Sequence, residues 1–364
     1  MPVTAATPPH PLEGEIHIAL SASGPGRFRI QSTRPPLAQR LLAGCTPQTA
    51  AVRVGLAYTL CGCAQRAACE AASAAALGED PSPAPAQLRI LAELAREHVW
   101  QLLAADGAAP PDPTPLIRLR QTAEDASRLA DTLSGILNDS LLGEPAAVWL
   151  GRDTDGLLRW ARAGKTRAAQ ALAQDISEPL PAATQTPLLP PLGDWTRADI
   201  ERLAAQALDA PAFCQQPLWQ GAPAETGAVA RLAGAGPASC WLTARGRDPA
   251  LRRLARLAEL ARLPDWLRGE APQMLRAWHL GEGTGVAGVE TARGLLFHVV
   301  RLRDGRVTDY RILAPTEWNF HPRGPLAEAM QALAWDAGTI ARVERLIHSL
   351  DPCVAFRVEV AQDA

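Results

Sequence analysis

Two cysteine-bearing strings near opposite ends of the chain carry the side chains best suited to metal chemistry. The first string, residues 59–65, reads T-L-C-G-C-A-Q and contains Cys61 and Cys63. The second string, residues 348–356, reads H-S-L-D-P-C-V-A-F and contains Cys353. Soft thiolates drawn from distant segments suit iron, zinc or copper. A free cysteine is also a common small buried apolar residue, so residue type alone leaves both a metal-ligand and a packing interpretation open.

The motifs disfavour several other kinds of site. Neither cysteine string contains the C-x-x-C pair, with histidines at ligand spacing, that is typical of a closed structural zinc site. The stretch Gly281–Gly285 is glycine-rich but lacks the following lysine and helix of a phosphate-binding loop, so we expect an ordinary loop there. The G-x-S-x-G elbow of α/β-hydrolases is also absent from the sequence.

The hydrophobic pattern predicts an α+β chain with a mainly helical body and small β-hairpins near both ends. Residues 15–31 alternate apolar and polar side chains on both sides of an S-G-P-G turn, which favours a hairpin. Residues 50–77 are rich in alanine and predict one long buried helix that carries the first cysteine string. Residues 252–263 predict another helix, with arginines on its solvated face. Asp304-Gly305 predicts the turn of a second hairpin.

Composition places the chain among globular proteins. Its 364 residues are 47% hydrophobic and 20% charged, which is enough to bury a sizeable core. The formal net charge of −2 argues against a nucleic-acid partner, and the sequence contains no apolar run long enough to span a membrane. The odd count of seven cysteines and the lack of a recognisable secretory signal predict reduced thiols and a cytoplasmic location.

Several rare strings, in order along the chain, resemble the large subunit of nickel–iron hydrogenases. Members of that family carry E-A-P-R-G-x-L-x-H, then V-P-S/T-x-W-N, then H-S-F-D-P-C-x-x-C-x-x-H, and earlier in the chain R-I-E-G-H and R-x-C-G-x-C. The matching strings here are E-T-A-R-G-L-L-F-H at 290–298, A-P-T-E-W-N at 314–319, H-S-L-D-P-C at 348–353, L-E-G-E at 12–15 and L-C-G at 60–62.

The resemblance covers residues 12–105 and 280–360, with a weakly matching, proline-containing middle at 106–279. It implies a hydrogenase large-subunit-like helical fold, and we expect residues 1–364 to form a single domain of that kind.

The chain departs from the family where the bimetallic cluster would be bridged. By resemblance, Cys61 and Cys353 match the two terminal nickel thiolates, whereas the bridging thiolates fall on Ala64 and Phe356. Cys63 lies one residue from a bridging position and stays open as a third ligand. The family's final histidine and one of its acidic residues, which serve a magnesium site, fall on Glu359 and Leu37. The resemblance therefore implies a site without nickel or magnesium.

The surroundings of the iron's diatomic ligands are retained. Cyanide nitrogens are buried anionic acceptors that need hydrogen-bond donors. By resemblance, three residues match the region that contacts the cyanides and three match acidic neighbours of the cluster or of its arginine. The first three are Arg293, Pro315 and Thr316, and the acidic three are Glu13, Asp351 and Glu97.

This combination is similar to the HupK/HoxV-type hydrogenase accessory family. The resemblance implies a non-enzymatic, cytoplasmic maturation scaffold that transiently carries an Fe(CN)2(CO) unit. It would receive the unit from a HypC/HypD-type assembly complex and pass it to the hydrogenase large-subunit precursor. Two thiolates and three diatomic ligands leave one iron position open to an incoming thiolate. Two alternatives stay open: a metal-free structural relative of the large subunit, and a catalytic hydrogenase with unusual ligation.

Overall fold

The computed structural model of the chain describes residues 14–21, 28–35, 37–58, 60–80, 84–104, 112–232, 234 and 236–361. Its strands are β1 Glu15–Ser21, β2 Phe28–Ser32, β3 Leu275–Gly281, β4 Thr284–Thr291, β5 Gly294–Arg303, β6 Arg306–Leu313 and β7 Ala355–Ala361.

Helices make up 56% of the residues that the structure describes, which confirms the mainly helical prediction. They are α1 Leu37–Leu42, α2 Pro47–Ala57, α3 Gly62–Ala76, α4 Ala84–Ala104, α5 Thr114–Thr122, α6 Ala126–Ile136, α7 Ala146–Leu150, α8 Thr154–Ala163, α9 Arg167–Ser177, α10 Arg197–Asp209, α11 Ala228–Leu232, α12 Gly236–Arg245, α13 Pro249–Asp265, α14 Pro315–Asn319, α15 Pro325–Gln331 and α16 Thr339–Leu350. Within the described ranges, no helix combines the length and the apolar character needed to cross a bilayer.

The first sheet joins the two ends of the chain in the order β2-β1-β7. β1 pairs antiparallel with β2, which confirms the predicted hairpin, although its turn at residues 22–27 lies outside the described residues. Ile16, Ile18 and Leu20 of β1 face inward at alternate positions, as a half-buried strand requires. β7 pairs in parallel with β1. This pairing brings Cys353, two residues before β7, to the segment that follows β2.

The second sheet is an antiparallel meander in the order β3-β4-β5-β6, and it includes the hairpin predicted around Asp304-Gly305 as β5 and β6. All of β4 is buried. At Gly285 the strand lies directly against α3, where an added Cβ would come within 2.1 Å of the carbonyl oxygen of Ala72. The sheet therefore packs closely on the helix that follows the first cysteine string.

Two tight turns connect the strands of the meander. Asp304 and Gly305 join β5 to β6 with φ values of +50° and +69°, which confirms the predicted Asp-Gly turn. The glycine-rich stretch that we expected to be a loop forms a second such turn, at Glu282 and Gly283, with φ values of +47° and +69°. The stretch extends into both β3 and β4, so the loop prediction was wrong except at this turn.

The single helix predicted over residues 50–77 is in fact two helices, α2 and α3. Tyr58 is extended (φ −120°, ψ 95°) and ends α2, and Cys61 precedes α3 with φ −130° and ψ 33°. The two helices meet closely at Gly62, where a Cβ would lie 2.8 Å from the carbonyl oxygen of Gly55. High local helix propensity favoured a continuous helix, but tertiary packing decides the break. The break places Cys61 at the start of a helix.

The prediction that the arginines of α13 face solvent was also wrong. Arg252 is only 3% exposed and donates hydrogen bonds to Glu225 at 2.8 and 3.2 Å. Arg256 donates to the backbone carbonyl of Ser349 at 2.8 Å. Because these partners come from segments far away in the sequence, the pattern of α13 by itself could not indicate them.

A buried ionic network connects α4, α11, α13 and β4. Arg231 donates to Glu259 at 2.5 and 2.6 Å and to Glu290 at 2.7 Å, and the Nε2 atom of His98 lies 2.7 Å from a Glu259 oxygen. Burial opposes ionisation of Glu259, but Arg231 and His98 hold the pKa of this carboxyl at about 2. The network fixes the mutual positions of the elements that also carry Glu97 and Arg293.

Replacing Glu259 by glutamine tests how much this network stabilises the fold. We expect Glu259→Gln to lower the free energy of unfolding by about 3–5 kcal/mol, because the Arg231 charge loses a buried partner. The exposed pair Arg197–Glu201 supplies the control, since Glu201→Gln should cost about 0.5 kcal/mol or less. Urea unfolding followed by circular dichroism measures both.

The same comparison has a defined pH dependence. The pKa of Glu259 is lowered in the folded chain. The stability that this carboxylate contributes is therefore complete above its ordinary pKa and is lost as the pH falls toward about 2. The difference in free energy of unfolding between the wild type and Glu259→Gln should therefore become smaller as the pH falls toward about 2. Equal losses in Glu259→Gln and Glu201→Gln would contradict the assignment.

Candidate functional site

Cys61 lies at the N-terminus of α3, directly after the break between α2 and α3. A carboxylate from α4 fixes this helix start: Glu93 accepts hydrogen bonds from the backbone N–H groups of Cys63 at 2.9 Å and Ala64 at 3.0 Å. The first N–H groups of a helix have no intrahelical acceptor and carry partial positive charge, so an anion there is stabilising. The local backbone of Cys61 is thus held by a long-range contact to Glu93.

Cys353 follows α16 through a sharp change of direction. Asp351 ends the helix in the left-handed conformation (φ 52°, ψ 71°), and Pro352 prevents the helix from continuing. The backbone N–H of Cys353 then donates to the side-chain oxygen of Thr316 at 3.2 Å. Thr316 is the second residue of the short helix α14, which begins at the buried Pro315.

The sulfur of Cys353 has two polar neighbours besides its own backbone. The Thr316 hydroxyl lies 3.1 Å from it, and the guanidinium of Arg34 donates to it at 3.1 Å. Arg34 also lies 3.7 Å from Glu317. Burial by itself would lower the pKa of Arg34, but Cys353 and Glu317 raise it above its ordinary value, so the guanidinium is charged. Burial raises the pKa of Glu317 to about 7, with Arg34 opposing this shift.

A directional chain of hydrogen bonds reaches the sulfur of Cys61. Burial lowers the pKa of His298 to about 3, so its imidazole is neutral and carries a single N–H. Its Nε2 lies 2.8 Å from the amide oxygen of Gln65, which can only accept, and its Nδ1 lies 2.6 Å from the hydroxyl of Tyr310. Nε2 therefore donates and Nδ1 accepts. This fixes the Gln65 amide so that its NH2 group donates to Cys61 at 3.5 Å.

The two thiols lie within one electrostatic environment. Burial raises the pKa of Cys61 to about 12, with further contributions from Cys353 and Glu93, while Gln65 and Arg293 act in the opposite direction. In their ionised forms, Cys61 and Cys353 both raise the pKa of Arg34 and of Arg293. Residues from opposite ends of the sequence thus form a single site with two guanidinium groups and two thiols, of which Cys353 is buried and Cys61 half-buried.

Arg293 lies in the turn between β4 and β5 and is 7% exposed. It donates to Glu97 at 3.2 Å, and its Nε lies 3.5 Å from a carboxylate oxygen of Asp351. Gly294, the next residue, allows this turn to pack closely against Thr226. A Cβ at position 294 would lie 2.5 Å from the Thr226 side chain, and the φ of Gly294 is +128°. Arg293 therefore connects the β4–β5 turn to α4 and to the end of α16.

The remaining predicted residues are placed as follows. Cys63 is half-buried, and burial is the main cause that raises its pKa, followed by Glu93. Its other charged neighbours are Arg96 and Arg89, so its surroundings differ from those of Cys61. Glu13 lies outside the described residues. Across the described ranges, no group of three or more His, Cys, Asp and Glu side chains is arranged to hold a metal ion.

The two positions that match bridging thiolates have no sulfur. Ala64 is buried on α3, and the ring of Phe356 packs edge-on against the ring of His348, with centroids 5.0 Å apart. The position that matches the family's final histidine, Glu359, is exposed on β7.

Sequence reasoning did not identify Arg34, Gln65, His298 or Glu93 as members of the site. Gln65 carried a usable signal, because it lies four residues after Cys61 on the same helix face. The contact between Arg34 and Cys353 depends on the parallel pairing of β7 with β1, and no local sequence pattern indicates that pairing.

Comparisons with known proteins agree with this architecture. A family model described as nickel-dependent hydrogenase matches residues 258–359. The chain is 36% identical to the hydrogenase expression/formation protein HoxV of Cupriavidus necator, over 92% of this chain and 93% of that protein. It is 33% identical to the hydrogenase expression/formation protein HupK of Bradyrhizobium diazoefficiens, over 95% and 96% respectively.

The fold is similar to that of a solved NAD+-reducing [NiFe]-hydrogenase, with a TM-score of 0.54 and 16% identity over 92% of this chain and 94% of that chain. The predicted large-subunit-like fold is therefore confirmed. The identity to HoxV and HupK extends over nearly the whole length of both relatives. The chain belongs to the HoxV/HupK family of hydrogenase expression/formation proteins.

Proposed function

We propose that this chain is a maturation scaffold that transiently carries an Fe(CN)2(CO) unit and transfers it to a hydrogenase large-subunit precursor. The names of its relatives support a role in hydrogenase maturation. The observation that carries the finer proposal is the meeting of Cys61 and Cys353 in one site with Arg34, Arg293 and Thr316.

The two thiols provide soft ligands of the kind that iron binds. In the empty chain the Cys61 thiol is protonated at neutral pH, because its pKa is about 12. Iron binds the thiolate, so uptake of the unit displaces that proton. The Gln65 amide and the Arg293 guanidinium stabilise the resulting negative charge, since both favour the ionised form of Cys61.

The polar groups around the thiols suit the diatomic ligands of the unit. A cyanide nitrogen is an anionic acceptor and is stabilised by a charged or hydroxyl donor, particularly where water is excluded. Arg293 supplies a guanidinium that is 7% exposed, and Thr316 supplies a hydroxyl that is 2% exposed. Carbon monoxide needs no hydrogen-bond donor, so it suits the apolar part of the lining.

The bridging positions favour a carrier over a permanent cofactor site. Ala64 and Phe356 offer no thiolate, so two sulfur ligands hold the iron, and one iron position stays open. A thiolate of the acceptor protein could enter there before the carrier's thiolates leave. Without bridging thiolates a nickel ion would find only two soft ligands, so we propose that the chain binds neither nickel nor magnesium and is not an enzyme.

In this proposal the unit arrives from a HypC/HypD-type assembly complex, and the exchange takes place in the cytoplasm. The second candidate, a metal-free structural relative, is weakly favoured by the raised pKa of Cys61, which is typical of a buried structural thiol. The iron content and the infrared spectrum separate the two candidates, because a metal-free relative would contain no iron and show no cyanide or carbonyl bands.

Cysteine variants test the assignment of the two ligands. We expect Cys61→Ala and Cys353→Ala each to abolish binding of the iron unit, because each removes one of the two thiolates. The measurements are the iron content and the cyanide and carbonyl infrared bands of protein purified without oxygen from cells that express the maturation machinery. Circular dichroism checks that the variants fold.

Two matched cysteine variants serve as controls. Cys214 lies outside the site and Cys63 has different charged neighbours, so Cys214→Ala and Cys63→Ala should retain both iron and bands. Loss of the bands in Cys63→Ala would add a third ligand to the set. Bands at full intensity in both Cys61→Ala and Cys353→Ala would refute the proposal.

Thr316 allows a test that leaves both thiols in place. Thr316→Val preserves the shape of the side chain but removes the hydroxyl next to the Cys353 sulfur, so we expect retention of the iron unit to fall by about tenfold. Thr316→Ser keeps the hydroxyl and should behave like the wild type. Dissociation of iron to a chelator measures retention. Equal rates for the valine and serine variants would show that the hydroxyl does not act on the site.

A further inference from the structure

A second polar cavity, of about 20 Å³, lies next to the thiol site. Its charged lining residues are Glu225, Arg252, Arg256, Arg293 and Asp351, and Thr226 and Ser349 add hydroxyl groups. Cys61, Cys353 and Thr316 are not among the residues that line it. The cavity shares Arg293 and Asp351 with the thiol site but is a separate space, with room for about one water-sized particle.

The charges around this cavity do not balance. Arg252 pairs with Glu225, and Arg293 pairs with Asp351 and with Glu97 outside the cavity. Arg256 has no carboxylate within ion-pair distance in the part of the chain that the structure describes, and it donates only to a backbone carbonyl. When the partners outside the lining are included, Arg247 next to Glu225 and Glu97 next to Arg293, four arginines face three carboxylates among the described residues, which leaves an excess of one positive charge.

Unpaired polar atoms line the same space. The Nε atom of Arg256 is buried without a hydrogen-bond partner among the described residues. The Nε atom of Arg293 and one carboxylate oxygen of Asp351 make no hydrogen bond there either, although they form an ion pair at 3.5 Å. Burial lowers the pKa of Arg256 to about 10, so it is still charged at neutral pH. Arg256 is partly exposed as a residue, but its Nε is buried and no carboxylate of the described residues lies within ion-pair distance, which is unfavourable for the charged group. A neutral water molecule would satisfy the unpaired N–H groups but would leave the excess charge in place.

We infer that this cavity binds a small monovalent anion, of the size of chloride, against Arg256 and Arg293. One negative charge cancels the excess, and the volume of about 20 Å³ accommodates an ion of that size. Because Arg293 faces both spaces, the anion also helps to fix the guanidinium that contacts Glu97 and Asp351. The inference does not depend on iron carriage, since the anion binds the chain with or without iron.

The test uses bromide as the probe and the iron-free full-length chain as the protein. Thermal unfolding is followed in sodium bromide and in sodium gluconate at constant ionic strength. We expect a saturable rise of the melting temperature in bromide that gluconate does not produce, because an anion that binds only the folded chain stabilises it by mass action.

Two variants on the same helix separate the cavity from general charge effects. Arg256→Gln should weaken the bromide response by about tenfold or more, because it removes a charged donor. Arg253→Gln removes the same charge from a residue that pairs with Asp175 and does not line the cavity, so it should keep the response.

Crystals of the wild type soaked in bromide provide a readout that does not depend on any variant. We expect an anomalous peak in contact with the Arg256 guanidinium. A cavity that holds only water, or equal effects of bromide and gluconate on the wild type, would overturn the inference. An unchanged bromide response in Arg256→Gln would also overturn it.

Discussion

The structure around the thiols depends on one constraint: a buried guanidinium must lie next to negative charge. Arg293 meets this constraint with Glu97 from α4 and Asp351 from the end of α16, while its own backbone lies in the β4–β5 turn. Leaving a buried charge unpaired costs several kcal/mol. Three segments that are distant in the sequence are therefore held together at the point where Cys353 leaves α16.

The second determinant is the sheet that joins the two ends of the chain. Parallel pairing of β7 with β1 brings Cys353 to Arg34, whereas the break before α3 and the carboxylate of Glu93 position Cys61. Each thiol thus depends on a long-range contact that its own segment cannot supply. Ala64 and Phe356, the positions that match bridging thiolates by resemblance, carry no sulfur.

The sequence predicted the helical body and both hairpins, because these follow from local periodicity and from matched strings. It did not predict the break at Tyr58, where packing at Gly62 overrides the propensity of an alanine-rich segment. The prediction that the arginines of α13 face solvent was wrong, because the sequence pattern of a helix does not distinguish an arginine that pairs with a distant Glu225 from one that faces water. The role of Arg34 depends on strand pairing between chain ends, which no local pattern encodes.

Transfer of a labelled iron unit tests the central claim most directly. The chain would be purified without oxygen from cells supplied with ¹³C-labelled precursors of the diatomic ligands, then mixed with unlabelled, iron-free hydrogenase large-subunit precursor and separated from it again. Our account predicts isotope-shifted cyanide and carbonyl bands on the chain before mixing and on the precursor afterwards. A chain without iron and without these bands would contradict it, and so would bands that stay on the chain.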